Sequence, residues 1–205
     1  MRKGLFILLV LSCSSPLAMA QEAGIAASQM FTTYRPVARP MGFALFYRSA
    51  GLQGGSSFSQ LTYEWHHHER TERGVLRTDD SDQAAEETIR STTTFHAFKY
   101  TYYVLPVQTP DIEMGIGGSL LLAILDKDQQ GLRSGRTPVS LAALKAGFGG
   151  SMYVSIPTSP DTPVAIRAMI QVERLGRGIL TTESELRPPL LVGTIQLGVS
   201  YRFER

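Results

Sequence analysis

The densest cluster of chemically versatile side chains is Glu64-Trp65-His66-His67-His68-Glu69. In an extended chain alternate residues share a face, so Glu64, His66 and His68 point the same way. Imidazoles at that spacing can share a divalent ion or act as a proton-sensitive pair, because imidazole titrates near neutrality. Glu64, His66 and His68 are therefore the candidate metal ligands. A structural zinc site takes about four ligands, and no further one can be named. The competing explanation is a solvated strand end entering a loop, and no cofactor is implied. Acyl transfer would need a hydroxyl held beside a base. The four histidines are His66, His67, His68 and His96, and none has Ser two residues on. No catalytic pair can be defended, so no enzyme is expected. Gly115, Gly117, Gly147 and Gly149 lead into no helix carrying Lys-Ser or Lys-Thr, which excludes a phosphate-binding loop.

The elements that carry these residues read as strands. Residues 190–203, LLVGTIQLGVSYRF, alternate without a break. Leu191, Ile195, Leu197, Val199, Tyr201 and Phe203 share one parity; Thr194, Gln196, Gly198, Ser200 and Arg202 share the other. Period 2 predicts a strand with one oily and one polar face. The same pattern predicts strands over 28–35 (the faintest), 42–49, 58–68, 91–105, 111–125, 139–156 and 163–173. Between them 69–90, 126–137 and 174–189 read as long charged loops, with a short helical turn at 83–89 as an option. Residues 51–57, 106–110 and 157–162 read as short turns rich in Gly, Pro, Ser and Thr. About eight strands with short and long connections alternating predict an all-β, up-and-down antiparallel barrel whose two termini share one end.

The N-terminus belongs to a separate segment. Met1-Arg2-Lys3 is basic, Gly4 to Ser12 is apolar but too short to span a bilayer, and Ala18-Met19-Ala20 fits a small-residue cleavage site. A signal peptide over 1–20 is expected, leaving one barrel domain over 21–205. The alternative is a lipoprotein signal with lipid on Cys13, for which Leu11 is bulky. Cleavage takes away Arg2 and Lys3 and no acid, so the formal charge of +2 becomes 0. That removes any case for nucleic acid. Cys13 is the only cysteine, so no disulfide holds the exported domain, and a core or a membrane must.

The ending carries a finer pattern: Gln196, Gly198, Tyr201 and Phe203. It resembles the C-terminal signal that bacterial outer-membrane β-barrels show to their insertion machinery. Across most of residues 21–205 the layout resembles small eight-stranded outer-membrane proteins of the OmpA/OmpX/OmpW kind. The resemblance implies a monomeric barrel in a Gram-negative-type outer membrane, in contact with its lipid and lipopolysaccharide. It also implies help from the insertion machinery during assembly and an unidentified partner at the loops.

A soluble lipocalin-like barrel in the periplasm would turn its oily parity inward. Mid-strand charges on the polar parity, and aromatic residues near strand ends on the oily one, favour the membrane arrangement. Arg48, Glu64, Lys99, Glu113, Lys145, Arg167, Glu173 and Arg202 then face the lumen. Arg48, Glu113 and Arg202 are expected near the terminal end and Glu64, Lys99 and Arg167 near the middle. Lys145 and Glu173, with His66 and His68, are expected toward the loop end. Charges of both signs at each level are expected to pair and fill the bore, because an unpaired buried charge costs too much. The expected role is structural or surface-interacting and non-enzymatic. The alternatives are a narrow pore for small solutes, a lipid A-remodelling enzyme, and the lipocalin-like ligand carrier.

Overall fold

The computed structural model describes residues 20–33, 39–49, 56–75, 86–131, 139–159, 162–181 and 189–203. Among these the chain forms β1 (Ala20–Thr32), β2 (Met41–Ser49), β3 (Ser57–Val75), β4 (Glu86–Gln108), β5 (Glu113–Gly131), β6 (Val139–Pro157), β7 (Val164–Leu175), β8 (Leu180–Thr181) and β9 (Leu190–Arg202). The two-residue β8 only prolongs the pairing of β7 along β6. The other eight strands pair antiparallel in chain order. β1 pairs with β9, and β5 with β6, so the sheet closes on itself.

The register gives the size of the cylinder. Crossing strand by strand from Glu22 leads through Arg48, Gln60, Thr101, Ser119, Gly149, Glu173 and Val192. It returns to β1 at Thr32, displaced from 22 to 32. Strands lie about 4.8 Å apart and rise about 3.4 Å per residue, so this displacement over eight strands tilts them by about 40° and sets a backbone radius of ~8 Å. Side chains alone can fill such a bore.

Two expectations about the strands need correcting. The first strand is not 28–35 but begins at Ala20. Apart from Ile25, its residues 23–28, Ala-Gly-Ile-Ala-Ala-Ser, are small, so no oily parity announces it. Residues 69–90 are not all loop: β3 continues to Val75, and β4 starts at Glu86, which replaces helix with strand over 86–89. Glu69 to Val75 pair residue for residue with Thr92 to Glu86. Antiparallel backbone pairing needs no apolar face, so a polar hairpin escapes a reading built on hydrophobic alternation. β5 likewise runs to Gly131. Pro106 donates no amide hydrogen, and the β4–β5 register slips between Val104 and Val107 around it rather than turning there.

The signal-peptide and Cys13 readings fall on residues 1–19, apart from Ala20, and lie outside the described residues. Residues 76–85, 132–138 and 182–188 of the expected long loops do too.

Candidate functional site: the barrel lumen

The alternation decides which face is which. Leu197, Leu122 and Ile166 expose 61%, 52% and 49% of their surface on the outside of the cylinder. Their chain neighbours Gln196, Leu121, Ala165 and Arg167 are buried inside it. Every long strand repeats the scheme, so the outer wall is a belt of Ile, Leu, Val, Met and aromatic side chains.

Inside, side chains stack in three layers. The layer at the terminal end is ionic and aromatic. Arg48 donates to Glu113 Oε1 at 2.5 Å and to Glu22 Oε2 at 3.1 Å, and Tyr153 OH donates to Glu113 Oε1 at 2.6 Å. Arg202, half-exposed at the mouth, approaches Glu113 at 3.8 Å and Glu22 at 4.0 Å. The Arg48 guanidinium lies 3.7 Å over the Phe58 ring. The Arg167 guanidinium lies 4.1 Å over Tyr153 and 4.7 Å over Phe46. Phe58 and Tyr103 stack at 4.9 Å between the charges. A methyl group at Gly115 would strike the Tyr153 ring, so the glycine leaves room for that ring to cover its cross-strand partner.

Above it lies a second ionic layer. Lys99 Nζ bonds Glu173 Oε2 at 2.7 Å, Glu64 Oε1 at 2.8 Å and Gln171 Oε1 at 2.9 Å. Gln196 Nε2 donates to Glu64 Oε1 at 2.5 Å. Lys99, Glu64 and Glu173 have fully buried side chains. A polar spacer joins the two layers: Ser151 Oγ donates to Tyr103 OH at 2.9 Å, and Tyr103 OH to Met169 Sδ at 3.0 Å.

The third layer, toward the long loops, is mainly apolar, with Lys127 and Lys145 buried beside it. Met30, Phe95, Leu121, Leu125, Leu175, Leu190 and Val192 pack together there with small alanines. These apolar groups share the bore with the polar and charged side chains expected there. The parity of Phe95, Leu121 and Leu125 is legible in the sequence, yet their burial against one another follows only once the barrel closes.

The candidate metal ligands part company. Glu64 and His66 are buried in the lumen with His66 Nε2 3.4 Å from Glu64 Oε2, while His68 is only partly buried higher up. No three His, Cys, Asp or Glu residues among the described ones are grouped to hold a metal ion. Ser28 Oγ also lies 3.5 Å from His66 Nε2. A serine, histidine and glutamate thus meet, but both contacts use one ring nitrogen. A histidine base takes the hydroxyl proton on one ring nitrogen while the carboxylate holds the N–H of the other, so the two partners need different nitrogens. His66 is also wholly buried, away from any substrate.

On the outer wall near the loop end, Phe43, Tyr63, Trp65, His67, His96 and Phe98 form one aromatic group. Phe43 and Trp65 lie 5.5 Å apart, and Tyr63 OH bonds His96 Nδ1 at 2.8 Å. Tyr201 and Phe203 meet at 5.4 Å near the opposite end. Two aromatic bands bound the apolar belt, as at the two interfaces of a bilayer.

That arrangement is a sheet turned inside out relative to a soluble barrel. The fold is that of small outer-membrane β-barrels. Solved structures sharing it include Ail, the attachment invasion locus protein of Yersinia pestis, at 16% identity, 90% of this chain, 100% of that chain and a TM-score of 0.51. Neisserial surface protein A matches at 13% identity over 89% of this chain and 95% of that one, with a TM-score of 0.52. A major outer membrane protein of Thermus thermophilus matches at 13% identity over 88% and 99%, with a TM-score of 0.60. No protein-family model and no curated protein matches the chain.

Within this fold two of the eight expected lumen charges, Arg167 and Glu173, lie at heights other than those expected. Arg48, Glu113 and Arg202 meet at the terminal end, joined by Glu22, which lies on the part of β1 that sequence patterning misses. Arg167 belongs to that layer and not the middle one, with Glu22 at 3.9 Å. Glu173 joins Lys99 and Glu64 rather than Lys145. Lys145 is buried higher, its Nζ 3.4 Å from the Gly176 carbonyl oxygen. Strand tilt causes the re-sorting: at about 40° a residue's height depends on its strand's offset as well as its place along it. Of the C-terminal motif, Tyr201 and Phe203 face outward and Gln196 faces the lumen. Gly198 sits against β1, where a methyl group would collide with the Ile25 carbonyl and Ala26.

Proposed function

We propose that this chain is a non-enzymatic barrel of a Gram-negative-type outer membrane, with a structural or surface-interaction role and a bore closed by its own side chains. The observation that carries the reading is the three-layer filling: two ionic layers and an apolar cap occupy a cylinder of ~8 Å backbone radius. The surrounding lipid and lipopolysaccharide meet the apolar belt, and the barrel stands as a monomer. The insertion machinery reads the strand that ends in Tyr201 and Phe203. The surface role has its own support. β3 and β4, of 19 and 23 residues, outreach β1, β2 and β9, of 13, 9 and 13, so a polar hairpin projects on the loop side. It offers a partner a surface beyond the membrane; that partner's identity is unassigned.

Planar-bilayer recording tests the closed bore. The expected outcome is no steady conductance from folded protein; reproducible unitary openings favour the small-solute pore instead. Membrane fractionation, with heated and unheated samples compared on detergent gels, tests the location. A soluble mature chain with no heat-dependent shift would refute it.

A further inference from the structure

Three guanidinium groups and two carboxylates make up the ionic layer at the terminal end. The carboxylates are spent mainly on Arg48, at 2.5 and 3.1 Å, and Arg202 approaches both. Among the described residues Arg167 is left with one carboxylate contact, Glu22 at 3.9 Å. The Phe46 and Tyr153 rings lie against its guanidinium but offer no acceptor atom for its N–H groups. The side chain is 2% exposed, and Nε, Nη1 and Nη2 have no hydrogen-bond partner among the described residues. Buried guanidinium donors without acceptors are rare, and each calls for an occupant.

Two further unpartnered groups lie on the same inward patch. Ser155 on β6 is the direct cross-strand partner of Arg167. Ser200 on β9 sits one inward position from Gly198, which pairs with Arg167 across the other edge. Both hydroxyls are buried, and neither has a hydrogen-bond partner. Direct cross-strand neighbours on one face have Cβ atoms about 5 Å apart, and diagonal ones about 7 Å. The pairing thus sets two unpartnered hydroxyls on the strands that flank Arg167, in a layer of three guanidinium groups, one of them half-exposed, and two carboxylates. Between them Gly198 packs directly against Ala26, so only small groups line that part of the inner wall.

We infer that this patch is a binding site for a small monovalent inorganic anion of chloride's size, held by Arg167 with Ser155 and Ser200. The filled bore leaves no room for a larger anion such as a phosphate ester. Half-exposed Arg202 at the mouth supplies a positive entrance from the terminal side. Water could satisfy the hydroxyls, but it brings no charge to a guanidinium whose carboxylate contact is 3.9 Å away.

The wild-type barrel in detergent tests this directly. Its unfolding midpoint is measured by the heated-gel shift while sodium gluconate is replaced by sodium chloride or bromide at constant ionic strength. A midpoint that climbs and saturates with halide supports the site; identical midpoints in gluconate and halide overturn it. Crystals grown in bromide give the second reading. An anomalous peak beside Arg167 supports the inference, and a peak found only elsewhere overturns it. Arg167→Gln should abolish the halide dependence, and Ser155→Ala should weaken it by several-fold in concentration. Should Arg167→Gln fail to fold, the wild-type titration and Ser155→Ala still decide.

Discussion

Replacing Lys99 by Met removes the one cation from between two buried carboxylates. Its ammonium lies 2.8 Å from Glu64 and 2.7 Å from Glu173, with all three side chains wholly buried. At an effective dielectric near 20, each attraction is gross about 6 kcal/mol. Desolvation of the ammonium offsets much of this, and removing one partner of a buried pair typically leaves a net cost of about 3–5 kcal/mol. Met matches the length of the lysine stem, so little cavity cost is added. The expected loss for Lys99→Met is therefore about 3–5 kcal/mol. Adding Glu64→Gln and Glu173→Gln removes the stranded charges, and the triple variant should recover to within about 2 kcal/mol of wild type. Denaturant unfolding in phospholipid vesicles measures both. Trp65 is the chain's only tryptophan and sits on the outer wall, so its fluorescence reports loss of the lipid-facing surface. A single variant costing under about 1 kcal/mol would refute the layer as an ionic keystone. A triple variant as unstable as the single one would show that packing, and not charge, governs it.

Glu113→Gln should lower the unfolding free energy by about 1–3 kcal/mol, since it weakens contacts to Arg48, Arg202 and Tyr153 while keeping the shape; an unchanged denaturation midpoint contradicts that network. Gly198→Ala should cost about 1–3 kcal/mol or displace the β1–β9 register, because its methyl group meets backbone and not a flexible side chain; wild-type folding yield and stability would show that the seam is looser than described. Ile170→Lys, in the middle of the exposed belt on β7, should destabilise the barrel in vesicles by about 2–4 kcal/mol; a neutral result would mean that lipid does not touch that face. On the projecting hairpin, Arg90 Nε bonds Glu69 at 2.6 Å and holds its carboxyl below the usual carboxylate range. The pair's contribution is present at neutral pH and fades as pH falls through that lowered value. Both groups are solvated, so Glu69→Gln should leave the midpoint unmoved at pH 7; a clear shift would reveal a tighter contact.

Strand parity is readable wherever one face is greasy. Leu61, Tyr63 and Trp65 announce β3, and Val164, Ile166, Ile170 and Val172 announce β7, so outward and inward positions follow directly. β1 escapes the pattern because alanine and glycine give alternation no contrast. The hairpin from Glu69 to Arg90 reads as loop because polar residues fill both parities of its two strands. Inward charge identity is equally legible, but partnership is not. Arg167 and Glu22 are neighbours only because the sheet climbs ten residues around the circuit, from 22 to 32. No single strand carries that information. The apolar cap is a similar case: Phe95, Leu121 and Val192 come from three strands and become a core only when the ends of the sheet join.

That join has a kinetic side. Most seams in this molecule link strands adjacent in the chain, and such hairpins can zip quickly and early. β1 against β9 is different: Glu22 meets Arg202, so the longest loop-closure entropy is borne by a strand rich in alanine and with little oily contrast. Until the last strand arrives, β1 offers a row of unsatisfied amides that neither lipid nor its own small side chains can shield. Sealing should therefore be the slow phase of assembly, and any agent that holds β1 until β9 emerges would set the pace for the whole barrel.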